Sequence, residues 1–245
     1  MNLKFFIIFF IASFLTSLAF NMNAAETPPM TLQVGDLLFQ DLDCGDLCNG
    51  IGEVTEGIKH TYISHVGIIE SIQNQNTHDP KIIILEAIGP GVVETNLNQF
   101  LARSHDLNHQ PMTFVERLKP QYQSFIPAAV HYAKLQLGKP YNSTFAPSNF
   151  SDSKNPPSFY CSELINFAFI HSSHDQSFFE QAPMNFTNLN THEITPAWQE
   201  YFSGLHAKAP QGQMGSNPGM LSRSDKLEWV GAYGVLRTHQ ASRSD

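Results

Sequence analysis

Between residues 32 and 118 the apolar positions fall in short runs separated by turn-forming residues, which is the pattern of strands. Residues 35–40, 63–71, 82–88, 92–97 and 112–118 are predicted strands on this basis. In the third of them Ile82, Ile83, Ile84 and Leu85 run without a polar break. Such a run suits a strand buried on both faces better than one with a wet face. Residues 44–59 interrupt the strands, with Ile51, Val54, Thr55 and Ile58 at helix-like spacing; a helix packed on the sheet is predicted there.

The second half reads differently. Ser124 can cap a helix whose first turn takes Pro127 and whose end is marked by Gly138 before Pro140. Residues 141–158 are a loop rich in Asn, Ser and Pro, and a further helix starts close to Cys161, with Leu164, Ile165, Phe167, Ala168 and Phe169 as its apolar body. After His171 the pattern weakens, broken by Pro183, Pro196, Pro210, Gly212, Gly215, Pro218 and Gly219. One enlarged domain over residues 26–202 and an irregular extension over 203–245 packed on it are expected.

The first 25 residues change the picture of the compartment. Lys4 precedes an apolar stretch from Phe5 that ends in small residues, the form of a secretory signal peptide with cleavage after Ala24 or Ala25; an uncleaved N-terminal anchor is the alternative. The expected location is periplasmic or secreted. Losing Lys4 takes the formal charge from −8 to −9, a balance that disfavours nucleic acid as a partner. There are 3 cysteines. Cys44 and Cys48 lie four apart and can pair in a turn or helix, which leaves Cys161 as the odd thiol.

Three residues carry candidate chemistry. Cys161 stands where a proline-rich loop turns into a helix, so that free N–H groups and the positive end of the helix dipole favour a thiolate and can bind an oxyanion. The alternative for such a residue is a small buried hydrophobe. His65 lies in a predicted strand, Ile63-Ser64-His65-Val66-Gly67-Ile68-Ile69, where a histidine is costly unless paired. Glu86 follows the apolar run 82–85, and a carboxylate at the end of a buried strand is rarely left alone. If strands 63–71 and 82–88 are neighbours, Glu86 orients one ring nitrogen of His65 while the other faces Cys161, the logic of a catalytic triad. A solvent-facing glutamate is the alternative.

Several spaced motifs then appear in order. Gly35-Asp36-Leu37-Leu38-Phe39, Ser64-His65-Val66-Gly67, Leu85-Glu86-Ala87 with Gly91-Val92, Gly138-Lys139-Pro140-Tyr141 and Tyr160-Cys161-Ser162-Glu163-Leu164 span about residues 32–170. Together they resemble the YiiX-like permuted papain-like amidases, a group similar to NlpC-type cell-wall peptidases and lecithin:retinol acyltransferase. The resemblance implies an α+β, circularly permuted papain-like fold in which helices pack an antiparallel sheet or half-barrel and the histidine strand precedes the cysteine helix. It implies Cys161 as nucleophile, His65 as base and Glu86 as third residue, with Tyr160 and Asp36 near the substrate and no cofactor. The implied activity is that of a cysteine amidase or peptidase.

The substrate is open at this stage: a cell-wall peptide, or an acyl lipid as amide, ester or thioester, with acyl transfer and a non-catalytic lipid- or peptide-binding module as alternatives. Association with the cell envelope is compatible with export, and nothing in the chain specifies an oligomeric state. Phe145, Phe150 and Phe159 would suit an acyl chain, and aromatic core packing explains them equally well. A structural zinc site on Cys44, Cys48, His60 and His65 is the rival use of those residues, at unusual spacing and with cysteines that oxidise in an exported protein.

Overall fold

The computed structural model describes residues 30–42, 44–75, 77, 80–147, 157–187 and 191–239. The expected signal peptide at 1–25 and Phe150 lie outside them. The strands are β1 (Leu37–Gln40), β2 (His65–Gln73), β3 (Lys81–Ile88), β4 (Gly91–Asn96), β5 (Thr113–Leu118), β6 (Ala182–Pro183), β7 (Met214–Gly215) and β8 (Leu227–Tyr233). The helices are α1 (Asp46–Val54), α2 (Leu97–Leu101), α3 (Ile126–Leu135), α4 (Cys161–Ser173), α5 (Pro196–Gly204) and α6 (Pro218–Ser222). Six strands form one antiparallel sheet in the order β4-β3-β2-β1-β5-β8. The sheet is open, with β4 and β8 at its edges.

Both faces of the sheet are covered. Leu37, Phe39, Val66, Ile68 and Leu85 point to one side, where Ala129 and Ala133 of α3 and Leu164, Ile165 and Ala168 of α4 meet them. Leu38, Ile69, Ile82 and Ile84 point to the other, under Phe100 of α2. Side chains alternate along a strand, so two covered faces demand apolar residues at successive positions. That is the physical reason for the unbroken run in β3.

The chain enters α4 through extended backbone at Tyr160 and leaves it at His174, which is left-handed (φ 57). Cys161 is the first helical residue. α3 differs in detail from expectation: Ser124 falls inside a 3₁₀ turn over 120–125 and does not cap the helix, which closes at Leu135, three residues before left-handed Gly138. Gly138 then donates to Val92 O, and Val92 N–H donates to Lys139 O, each at 2.9 Å. Gly91 makes this approach possible, since a Cβ there would lie 2.2 Å from Lys139 O.

Within the expected extension 203–245, the described residues 203–239 are more ordered than their sequence suggests. β8 pairs with β5 and completes the sheet. As an edge strand it is mostly exposed or half-buried, so it carries no clean apolar alternation to read.

Cys44 and Cys48 form a disulfide at the start of α1, with Cα atoms 5.3 Å apart. Protein recovered from an oxidising compartment should therefore show, by mass spectrometry without reduction, a Cys44–Cys48 linked peptide and a free Cys161. Two free thiols at 44 and 48, or a tightly held zinc, would contradict the pairing.

Candidate active site

The register of β2 against β3 builds the site. Ile68 lies opposite Leu85, and extending that pairing sets Gly67 opposite Glu86 and puts His65 diagonal to Glu86 on the same face. Gly67 is required by crowding: a Cβ there would lie 2.6 Å from Ile84 Cγ2 and 3.0 Å from Phe100. His65 and Glu86 are 3% and 0% exposed, and His65 Nε2 lies 2.6 Å from Glu86 Oε2.

Cys161 comes to this pair from the other element. It is buried at the head of α4, with Sγ 4.0 Å from Ser64 O. Burial alone would push His65 down; hydrogen bonding to Cys161 and Glu86, and the charges of both, override it and raise His65 to about 9. Burial would likewise push Glu86 up, and His65 together with Arg103 brings it down to about 2. With Nε2 given to Glu86, Nδ1 is the nitrogen left for Cys161. The three residues singled out by sequence are thus brought together.

Two cavities meet at this point. One of about 420 Å³ is lined by Tyr160, Cys161, Phe145, Met184, Phe186 and Trp198 among others. The other, about 650 Å³, is lined by His65, Arg103, His105, Ser143 and the Cys44–Cys48 disulfide. Ile51, Ser64 and Tyr141 border both. Tyr160 therefore stands in the site, its hydroxyl accepting from Ser216 N–H at 3.2 Å. Of the aromatic residues weighed for an acyl chain, Phe145 lines a cavity, and Phe159 is wholly buried in the core.

Asp36 is the correction. Its carboxylate is bonded to Arg117 at 2.7 and 2.8 Å and to Gln33 N–H at 2.8 Å, with no exposure. It precedes β1, whereas the His65 partner Gln40 is at the far end of that strand. Asp36 fastens the chain before β1 to β5, and its acidity served that ion pair rather than a substrate.

Arg103 is the residue sequence reasoning missed. One of its terminal nitrogens donates to Glu86 Oε1 at 2.7 Å and Oε2 at 2.6 Å. It lies in polar text after a short helix, with no periodicity to mark it. The one available signal was that a buried carboxylate requires a cation.

A family model described as "Permuted papain-like amidase enzyme, YaeF/YiiX, C92 family" matches residues 31–231. The chain belongs to the C92 family of permuted papain-like amidases. C92 membership makes a papain-like, amidase-type hydrolase the class of activity, and the matched span takes in most of β8. The crystal structure of metalloprotein YiiX from Escherichia coli O157:H7 is similar in fold, with a TM-score of 0.58 at 24% identity over 82% of this chain and 97% of that one. No curated protein sequence matches significantly.

YiiX is described as a metalloprotein, and the side chains of this chain decide whether a metal would fit here. Among the described residues no group of three His, Cys, Asp or Glu side chains is placed to hold one. The four residues of the zinc alternative are engaged elsewhere: Cys44 and Cys48 with each other, His60 with Glu56 on the surface, and His65 with Glu86.

Proposed function

We propose that this C92 protein is an exported cysteine hydrolase that cleaves an amide or ester acyl bond through a Cys161 acyl-enzyme. The observation that carries the proposal is the buried Cys161, His65 and Glu86 relay at the junction of two cavities. Cys161 thiolate attacks the acyl carbon and forms the C–S bond. The oxyanion meets backbone N–H groups of the first turn of α4, which have no acceptor within the helix. Tyr141 adds a hydroxyl that stays protonated, since burial and the charge of Cys161 push it well above the ordinary phenol value.

His65 then gives its proton to the leaving nitrogen or oxygen as the C–N or C–O bond breaks. Water attacks the thioester, His65 takes a proton from it, and the C–S bond breaks to release the acid and restore the Cys161 thiolate beside protonated His65. Glu86 fixes the ring orientation and favours the charged imidazole throughout.

The two cavities divide the substrate between its acyl and leaving groups. Cys161 opens on the cavity walled by Phe145, Phe186 and Trp198, in which Glu180 and Arg223 also take part; His65 opens on the one bearing Arg103, His105 and Ser143, in which Leu47 and Ile88 also take part. The aromatic wall beside Cys161 favours an apolar acyl chain over a cell-wall peptide, with the envelope as the place where either is met. Pure protein incubated with acyl-lipid esters and amides and with muropeptides is expected to release free fatty acid. Cleavage of muropeptides alone would assign the peptide substrate. Cleavage of neither, with Cys161 reactive, would overturn hydrolysis in favour of a binding role.

A further inference from the structure

The relay leaves one charged neighbour without a role. Glu86 Oε2 accepts from both His65 Nε2 and Arg103 Nη2 at 2.6 Å, and Oε1 accepts from the same arginine nitrogen at 2.7 Å. Arg103 is held in place just beyond α2. Its backbone N–H donates to Phe100 O at 3.4 Å, and its Cζ lies 5.2 Å from the Phe100 ring. That ring is fully buried and 5.8 Å from the ring of His65, while Phe100 O also accepts from Gln40 Nε2 at 2.8 Å. One aromatic residue therefore braces the imidazole and the guanidinium against the same carboxylate.

We propose that Arg103 is a positioning residue that keeps Glu86 ionised while His65 alternates between charged and neutral forms, and so sets how readily His65 releases its proton. This rests on the assignment of His65 as the acid and base of the reaction. When His65 protonates a leaving group, Glu86 is left facing a neutral ring. A buried carboxylate without a counter-charge is costly, and without Arg103 that cost would oppose proton release. A guanidinium does not titrate in this range, so it balances Glu86 in both states of the ring. The other group acting on the pair is Cys161 at the head of α4, through His65, and Cys161 in turn acts on Tyr141.

The test is the titration of the His65 ring by NMR, together with pH profiles of turnover, in the parent, Arg103→Gln and Arg103→Lys. Removing a fixed positive charge makes every proton of the His65 and Glu86 pair harder to lose. In Arg103→Gln the ring midpoint and both limbs of the profile should move up by about one pH unit. Turnover at neutral pH should fall roughly 10- to 100-fold with KM little changed. Arg103→Lys, keeping the charge, should return the limbs to their parental positions. A ring midpoint unmoved in Arg103→Gln overturns the proposal, because a purely structural arginine would lower activity without moving the titration.

If Arg103→Gln does not fold, the double variant with Glu86→Gln leaves no stranded charge. Compared with Glu86→Gln alone it should lose nothing further, and an additional loss of about tenfold would show that Arg103 acts by another route. If the parent turns over no substrate, the hydrolase reading fails by itself. The ring titration still decides whether Arg103 governs the proton affinity of His65.

Discussion

Cys161→Ala should abolish hydrolysis of every substrate the parent cleaves, a loss on the order of 10⁵-fold or more, while the fold is retained. The expected size follows from chemistry. Without a sulfur there is no thioester, and neither His65 nor Glu86 is placed to attack a carbonyl in its stead. The fold survives because alanine fills nearly the same space at the first position of α4, where the sulfur's polar partners are the His65 ring and, at a long 4.0 Å, Ser64 O. In the folded, non-reduced parent, iodoacetamide near neutral pH should label Cys161 ahead of any other cysteine. His65, held protonated up to about 9, supplies a cation to the sulfur, and the cavity beside Cys161 admits a small reagent. Cys44 and Cys48 are closed to it by their disulfide. Labelling at Cys44 or Cys48 with Cys161 inert would reverse the assignment, as would substantial turnover by Cys161→Ala.

What could be read in advance divides along a physical line. Elements that bury apolar residues in a regular period announce themselves: β2, β3 and the body of α4 were legible because each must present apolar side chains to a covered face. Glu86 was legible for the inverse reason, a charge standing at the end of such a run. Cys161 was legible from the loop of prolines before a helix. β8 was not, since an edge strand with one residue buried and the rest exposed or half-buried imposes no pattern on its sequence. Asp36 was misplaced because an acidic residue beside a strand looks the same whether it meets a substrate or Arg117. Arg103 was invisible because its partner is fixed by how a short helix crosses the sheet, and that crossing is written nowhere near it in the chain.

The same division decides what a single charge at Glu86 is worth. A strand-end glutamate facing water would tolerate Glu86→Gln within about 0.5 kcal/mol; one that is 0% exposed and bonded to both His65 and Arg103 will not. Glutamine keeps the shape and loses the charge that favours imidazolium and fixes the ring, so turnover should fall on the order of a hundredfold or more. The fold should persist, because Arg103 is 29% exposed and can turn its freed charge toward water.

The direction of the pH response follows from the same pair. His65 is raised from 6.5 to about 9, so its contribution to stability is complete below 6.5 and lost as pH rises through about 9. Glu86 is lowered from 4.5 to about 2, so its contribution is complete above 4.5 and lost as pH falls through about 2. Parent activity should therefore decline on the basic side near pH 9, and Glu86→Gln should bring that decline to lower pH. His65→Ala should be at least as damaging as Glu86→Gln. The double variant should be little worse than His65→Ala alone, because the effects of residues that act as one unit do not add. Turnover by Glu86→Gln within about twofold of the parent would remove Glu86 from the mechanism and leave Cys161 and His65 as a dyad with a different orienting group.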